Sequence, residues 1–295
     1  MVENKYEVLN LIGKGGFGYI YKGLNKQTNE EIAIKFEHFF SKPQLLFNEY
    51  ATYQDLIRDV SLENLRTPNI YDFITDEENQ VCEMVMELMG PNLNEIFKKC
   101  QKKFSLKTIL MLAEQMLLSL EFIHSKGIIH RDIKPENWVI GTKEKKNRIY
   151  LIDFGLSTDI FDKEGKHVPY QECQDFEGSA IFASVNTHFN IAKSRRDDLF
   201  SLGYIFLYFL RGELPWEKER GFNEVFDIKR FYFPGEKMFE TFPKEFADYI
   251  NYCDKITFLG KPDYEYLQNL FKGLMDKSGY QYDYNYDWLN IDLEK

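Results

Sequence analysis

The spacing of apolar and polar residues divides the chain into a strand-rich beginning and a helix-rich remainder. Tyr6–Ile12, Tyr19–Leu24 and Glu31–Phe36 are rich in β-branched, aromatic and apolar residues, with Gly-rich and Asn/Thr turns between them. Such runs predict three consecutive antiparallel strands. Ser41-Lys42-Pro43 is a helix-start signal, and Leu45, Leu46, Glu49, Tyr50 and Tyr53 recur behind it at helical spacing. Ile70–Ile74 and Val81–Leu88 flank the polar turn Asp76-Glu77-Glu78-Asn79-Gln80 and predict a hairpin. Beyond Gly90-Pro91, the expected hinge, Ser105 opens a run in which Ile109, Leu110, Leu112, Ala113, Met116, Leu117, Leu120 and Ile123 keep a helical period as far as Gly127. Leu199–Leu210 is apolar over twelve residues apart from Ser201 and Gly203, which suits a buried helix and is too short to span a bilayer. Near the end, Tyr280, Tyr282, Tyr284 and Tyr286 lead to Trp288-Leu289, a pair expected to anchor this segment on the larger part of the fold.

A chain of 295 residues accommodates one large domain or two lobes sharing a cleft. Its 44% hydrophobic and 28% charged content argues against extended disorder. The net charge of −10 disfavours broad attraction to nucleic acid or anionic membrane, while leaving room for a local basic pocket. Cys82, Cys100, Cys173 and Cys253 lack any Cys-x-x-Cys spacing, so reduced thiols are expected. His38, His124, His167 and His188 lack metal-ligand spacing and are assigned to packing or solvent. The first residues, Met1 to Tyr6, carry no secretory pattern.

The chemistry is concentrated in His130-Arg131-Asp132-Ile133-Lys134-Pro135-Glu136-Asn137, with Asp153-Phe154-Gly155 beginning twenty-one positions after Asp132. Phosphoryl transfer needs a carboxylate to orient the attacking hydroxyl and oxygen ligands for Mg²⁺ about the phosphates. Asp132, Asn137 and Asp153 supply these in order. Gly13-Lys14-Gly15-Gly16-Phe17-Gly18 fits G-x-G-x-x-G, but it runs into the strand Tyr19-Ile20-Tyr21-Lys22, whereas a dinucleotide-binding turn runs into a helix. A glycine-rich hairpin over a triphosphate fits better. Ile32-Ala33-Ile34-Lys35 follows, so Lys35 is expected on the α- and β-phosphates, ion-paired to Glu49. Lys134 would neutralise charge on the transferring phosphoryl group. Together these residues resemble the catalytic core of a protein kinase.

Further motifs narrow the resemblance. In place of the usual Ala-Pro-Glu stands Gly178-Ser179-Ala180-Ile181-Phe182-Ala183-Ser184-Val185-Asn186-Thr187-His188, followed by Ser194-Arg195-Arg196-Asp197-Asp198-Leu199. With Met84-Val85-Met86-Glu87-Leu88-Met89-Gly90-Pro91, Leu214-Pro215-Trp216 and Tyr282 to Trp288, this resembles the casein kinase 1 family over about residues 6 to 290. The resemblance implies an α+β, bilobal kinase fold filling residues 1–295 as a single domain, with a β-rich lobe over 1–89 and a hinge and helical lobe over 90–295. It also implies ATP and Mg²⁺ as cofactors and transfer to Ser or Thr of protein substrates. A monomer with no nucleic-acid or membrane partner is expected, cytoplasmic and also nuclear in location. Carried onto this chain, Gly13, Gly15 and Gly18 would cover the phosphates, and adenine would lie between Ile12, Ile20 and Ala33 above and Val139 and Ile152 below. Met86 would be the gatekeeper, with the Glu87 carbonyl and the Met89 amide as hinge contacts. Asn137 and Asp153 would ligate the metal, and Asp198 would brace the catalytic loop. A tau-tubulin-kinase-like enzyme, a kinase-fold scaffold with little turnover and a small-molecule phosphotransferase are the competing readings.

One departure bears on substrate choice. The family reads acidic or phospho-primed sites with a basic pocket, yet an arginine expected in the activation segment is here Ile181. Between Gly155 and Asn190, six acidic residues, among them Glu172, Asp175 and Glu177, stand against two lysines. Reduced dependence on primed sites is therefore expected, with Lys218 and Arg220 as partial compensation. Glu177, standing where the family commonly has Thr, is expected to hold the segment without phosphorylation.

Overall fold

Runs of β-branched, aromatic and apolar residues build the N-terminal sheet, and successive side chains of each strand point to opposite faces. In the computed structural model, which describes residues 5–15, 18–41, 44–61, 64–172, 178–219 and 221–291, β1 (Tyr6–Gly15), β2 (Gly18–Asn25) and β3 (Glu30–His38) are consecutive antiparallel strands. Met1–Asn4, Gly16, Phe17, Lys42, Pro43, Cys173, Asp175, Glu177 and Arg220 lie outside the described residues. Ile32 and Ile34 of β3 join Tyr6 and Val85 in a small cluster on one face. Ala33 turns to the main core, and Lys35 shares its face.

Helix α1 (Leu46–Ile57) follows, later than the Ser41-Lys42-Pro43 signal suggests. Its start is set from a distance: the buried Glu37 carboxylate of β3 accepts the Leu45 and Leu46 N–H groups at 3.0 and 2.9 Å. That satisfies two of the helix's orphan donors, the task a local cap would otherwise perform. Strands β4 (Ile70–Asp76) and β5 (Val81–Glu87) form the expected hairpin, and β5 pairs with β3 to give the order β1-β2-β3-β5-β4.

Helices dominate after the hinge. Helix α2 (Leu93–Lys99) opens with a capping box between Asn92 and Glu95. Helix α3 (Leu106–Ser125), N-capped by Ser105, is buried over most of its length. Two small ladders come next: β6 (Ile128–Ile129) with the later β9, and β7 (Trp138–Ile140) with β8 (Ile149–Leu151). Strand β9 spans Thr158–Asp159. These ladders hold the loop 130–137 and the segment 152–157 in place beneath the sheet.

The rest is α4 (Val185–His188), α5 (Arg195–Arg211), α6 (Phe222–Tyr232), α7 (Gly235–Met238), α8 (Lys244–Lys255) and α9 (Tyr264–Lys277). Leu199–Leu210 lies within α5, which is buried nearly all round and packs with α3 and α8, while α3 also packs on α9. The aromatic end docks as expected. Trp288 stacks on Tyr286 at 4.4 Å and touches Phe104, while Asp287 accepts the Ser105 N–H and hydroxyl at 2.6 and 2.8 Å.

Candidate active site

Two clusters of charged side chains face each other where the sheet meets the helical part. The first is centred on Lys35, whose amine lies 2.6 Å from Glu49 Oε2 and 3.0 Å from Asp153 Oδ1. Strand β3 supplies the lysine, the first turn of α1 supplies Glu49, and Asp153 sits in a left-handed conformation at φ 70°, ψ 66°. Burial works against the charge of Lys35, but Glu49 and then Asp153 outweigh it and raise its pKa. One cation is shared by two carboxylates, and their environments separate them. Burial pushes Glu49 up to about 7 against the pull of Lys35. Asp153, also opposed by burial, is held below the usual carboxylate range by the Lys35 charge and hydrogen bond.

Polar side chains that sequence reasoning missed lock α1 to the Asp153 segment. Asn48 Nδ2 donates to the carbonyls of Gly155 and Ser157 at 3.1 and 3.3 Å, and Thr52 shares a 2.9 Å hydrogen bond with Ser157. Asn48 and Thr52 are four apart and so share a helix face, the one signal that could have marked them. Below, the wholly buried Phe154 packs edge-on against Tyr53 and His130, with centroids 5.1 and 5.0 Å away. These contacts join α1 to the Asp153 segment and to the loop that carries Asp132.

The second cluster is that loop. Asp198, buried in α5, accepts the backbone N–H groups of His130 and Arg131 at 2.8 and 2.9 Å and contacts His124 Nε2 at 3.0 Å. Lys193 Nζ donates to the Arg131 carbonyl at 2.7 Å. Arg131, in left-handed backbone at φ 70°, is thus held at both of its peptide groups. Asp132 follows, 7% exposed, with Oδ1 accepting the Ser179 N–H at 2.9 Å and Oδ2 paired with Lys134. Asn137 turns Nδ2 to the Asp132 carbonyl at 2.9 Å and to Oδ2 at 3.4 Å.

That orientation leaves Asn137 Oδ1 and Asp153 Oδ2 without a protein partner among the described residues. Two hard oxygens beside a phosphate site suit Mg²⁺, which is commonly held by one or two protein ligands together with substrate phosphates.

The residues expected about a nucleotide lie on β1, β2, β3 and β5 on one side and on β7 and the segment after β8 on the other. Gly13 pairs with Ile20 and Gly15 with Gly18 across the β1–β2 turn. A side chain at Gly18 would strike the Phe36 carbonyl oxygen of β3, so that glycine is demanded by the sheet itself. A side chain at Gly15 would meet no atom of the described residues within 4 Å, so the glycine leaves open space there. Ile12 is half-exposed, Ile20 partly buried, and Ala33 sits opposite Met86 in the β3–β5 register. On the other side, Val139 lies in β7 and Ile152 follows β8, its N–H on the Asn137 carbonyl at 2.9 Å. At the hinge, Gly90 N–H donates to the Ile140 carbonyl at 2.9 Å, and Glu87 pairs through its side chain with Lys145 at 2.5 Å. The Met89 N–H has no partner among the described residues.

A carboxylate with a neighbouring lysine and amide, facing a buried lysine between two acids, makes a cleft suited to binding a nucleoside triphosphate and transferring a phosphoryl group. The family model described as protein kinase domain matches residues 6–276, and the chain belongs to that family. Its α+β, two-lobed arrangement is the protein kinase fold. Kinases of this family use ATP with a divalent metal, typically Mg²⁺, and act on proteins. Among the described residues no helix is long and apolar enough to cross a membrane.

Proposed function

We propose that the chain is a serine/threonine protein kinase of casein kinase 1 type, moving the γ-phosphoryl group of ATP to Ser or Thr hydroxyls of proteins. The observation that carries this reading is the pairing of Asp132, with its lysine and asparagine, opposite Lys35, Glu49 and Asp153. Lys35 holds the α- and β-phosphates and is itself fixed by Glu49. Asp132 orients the acceptor hydroxyl and takes its proton, and Lys134 offsets charge on the transferring group. Asn137 and Asp153 would hold the metal, which would supply neutralisation of the phosphate charge.

Within the glycine-rich turn, Gly13 and Gly15 leave room for the phosphates, and Gly18 sets the path of the hairpin. Ile12, Ile20 and Ala33 cover the adenine, and Val139 and Ile152 support it. Met86 closes the back of the pocket, and the Glu87 carbonyl and Met89 N–H meet the adenine edge.

The casein kinase 1 assignment is supported by the way its two marker motifs meet. Ser184 Oγ donates to Asp197 Oδ1 at 2.5 Å and Asn186 reaches the same oxygen at 3.5 Å. The Ser-Val-Asn element is therefore fastened to the Arg-Arg-Asp-Asp run. Ile181 in place of a basic residue supports reduced dependence on primed or acidic sites. Lys218, exposed and paired with Glu213 at 3.1 Å, is poorly placed to compensate. Labelled ATP offered with casein and with a panel of small-molecule acceptors tests the proposal. Phosphoserine or phosphothreonine in protein is expected, and label confined to small molecules would refute it.

A further inference from the structure

Beside the catalytic loop runs a groove of about 420 Å³ whose floor is Ile181, Phe182, Tyr208 and Leu214. Lys134 and Ser179 form its inner end. Both bond to the Asp132 carboxylate, so a chain segment lying in the groove lies beside the acceptor hydroxyl.

Buried donors fix the shape of this floor. Lys229 Nζ donates to the carbonyls of Ala180 and Ala183 at 2.7 and 2.6 Å, and Trp216 Nε1 donates to that of Ile181 at 2.8 Å. Three of four consecutive carbonyls are tied down from within the helical lobe, while the half-buried side chain of Ile181 remains at the groove. Lys229 is wholly enclosed, with its amine 5.0 Å from the Tyr204 ring centre and 5.5 Å from that of Trp216. It has no ion-pair partner among the described residues, and its hydrogen bonds go to the backbone and to His188 Nε2. Its amine serves the floor from beneath and does not reach a ligand above.

The charged side chains that do face the groove are Lys98, Lys134, Glu136 and Glu217. Among the described residues, Lys134 is held on Asp132 and Glu217 lies 3.6 Å from Lys102, which leaves Glu136 and Lys98 beside an apolar base. An anionic side chain placed here would meet Glu136 and Glu217 as well as Lys98, and would lose hydration against the apolar floor. A large apolar side chain would exchange water for Ile181 and its neighbours, the favourable direction.

We infer that the groove receives a large apolar side chain of the protein substrate, within a few residues of the phosphorylated Ser or Thr, and that Ile181 sets this choice. The inference rests on the kinase reading above and specifies which substrates that site takes.

A positional-scanning peptide library built around a central Ser, run on the full chain in parallel with labelling of casein, is the test. One position should favour Leu, Ile, Met or Phe over Asp, Glu or phosphoserine by about tenfold, the scale at which an apolar pocket discriminates. Ile181→Leu should keep that preference, and Ile181→Arg should abolish or reverse it at the same position. Casein labelling without an apolar-preferring position in the wild-type profile overturns the inference and leaves the kinase reading intact, as does an Ile181→Arg profile identical to wild type. Absence of transfer to casein and to every peptide overturns both.

Discussion

Asp198 accepts the backbone N–H of Arg131 at 2.9 Å, one residue before Asp132. The same carboxylate accepts the His130 N–H, so a buried charge, stabilised by two N–H donors and His124, shapes the turn that presents Asp132. Asp198→Asn places an amide N–H₂ where an acceptor is needed. Hydrogen bonds to a charged group contribute about 1.5–3 kcal/mol each. The variant should lose about 2 kcal/mol in denaturant unfolding, and kcat should fall while ATP affinity holds.

Glu37 starts α1 from outside the helix. Its two bonds to Leu45 and Leu46 set the position of Glu49 one turn further on. Glu37→Ala should cost about 1–2 kcal/mol, as loss of a helix cap does. It should also weaken ATP binding, which nucleotide titration would read.

The two glycines paired across the turn, Gly15 and Gly18, should respond differently. Gly18→Ala drives a methyl group into the Phe36 carbonyl and should destabilise the fold by about 1–3 kcal/mol, the usual cost of overpacking. Gly15→Ala meets open space, so thermal stability should hold and the KM for ATP should rise. Melting curves read with and without nucleotide separate the two effects.

Glu49 must be ionised to hold Lys35. Burial raises its pKa to about 7, so the protonated fraction grows as pH falls through that value and Lys35 is left to Asp153. The kcat/KM for ATP should decline on the acid side of about 7 with the slope of a single protonation. Glu49→Gln should remove that limb and lower activity about 10- to 100-fold, matching the loss of one charged hydrogen bond. A wild-type profile superimposable on that of the variant would contradict this role.

Much of the site was legible because phosphoryl transfer uses few residue types in a fixed order. Lys35, Glu49, Asp132, Asn137 and Asp153 could be picked out by the order and spacing of motifs that resemble those of protein kinases, and the structure brings them into two clusters. The strands and α3 were legible from their periods. Helix α2 was not placed, although Asn92 and Glu95 carried the capping-box spacing. Glu37 could not be found, since its helix lies eight residues on and nothing local distinguishes it from a surface charge. Lys193 and Lys229 belong to no motif in the sequence, yet both donate to backbone carbonyls more than forty residues away. Long-range closure of main-chain hydrogen bonds leaves no periodic trace in a sequence.

The most direct test of the central claim is transfer of label from ATP with Mg²⁺ to casein by wild type and Asp132→Asn, followed by phosphoamino-acid analysis. Removing a positioned acid–base group costs roughly 10²–10⁴-fold. The expected result is phosphoserine and phosphothreonine from the wild type, a rate reduced by that factor in Asp132→Asn, and equal ATP binding by both. Label on tyrosine alone, or equal rates from the two proteins, would contradict it.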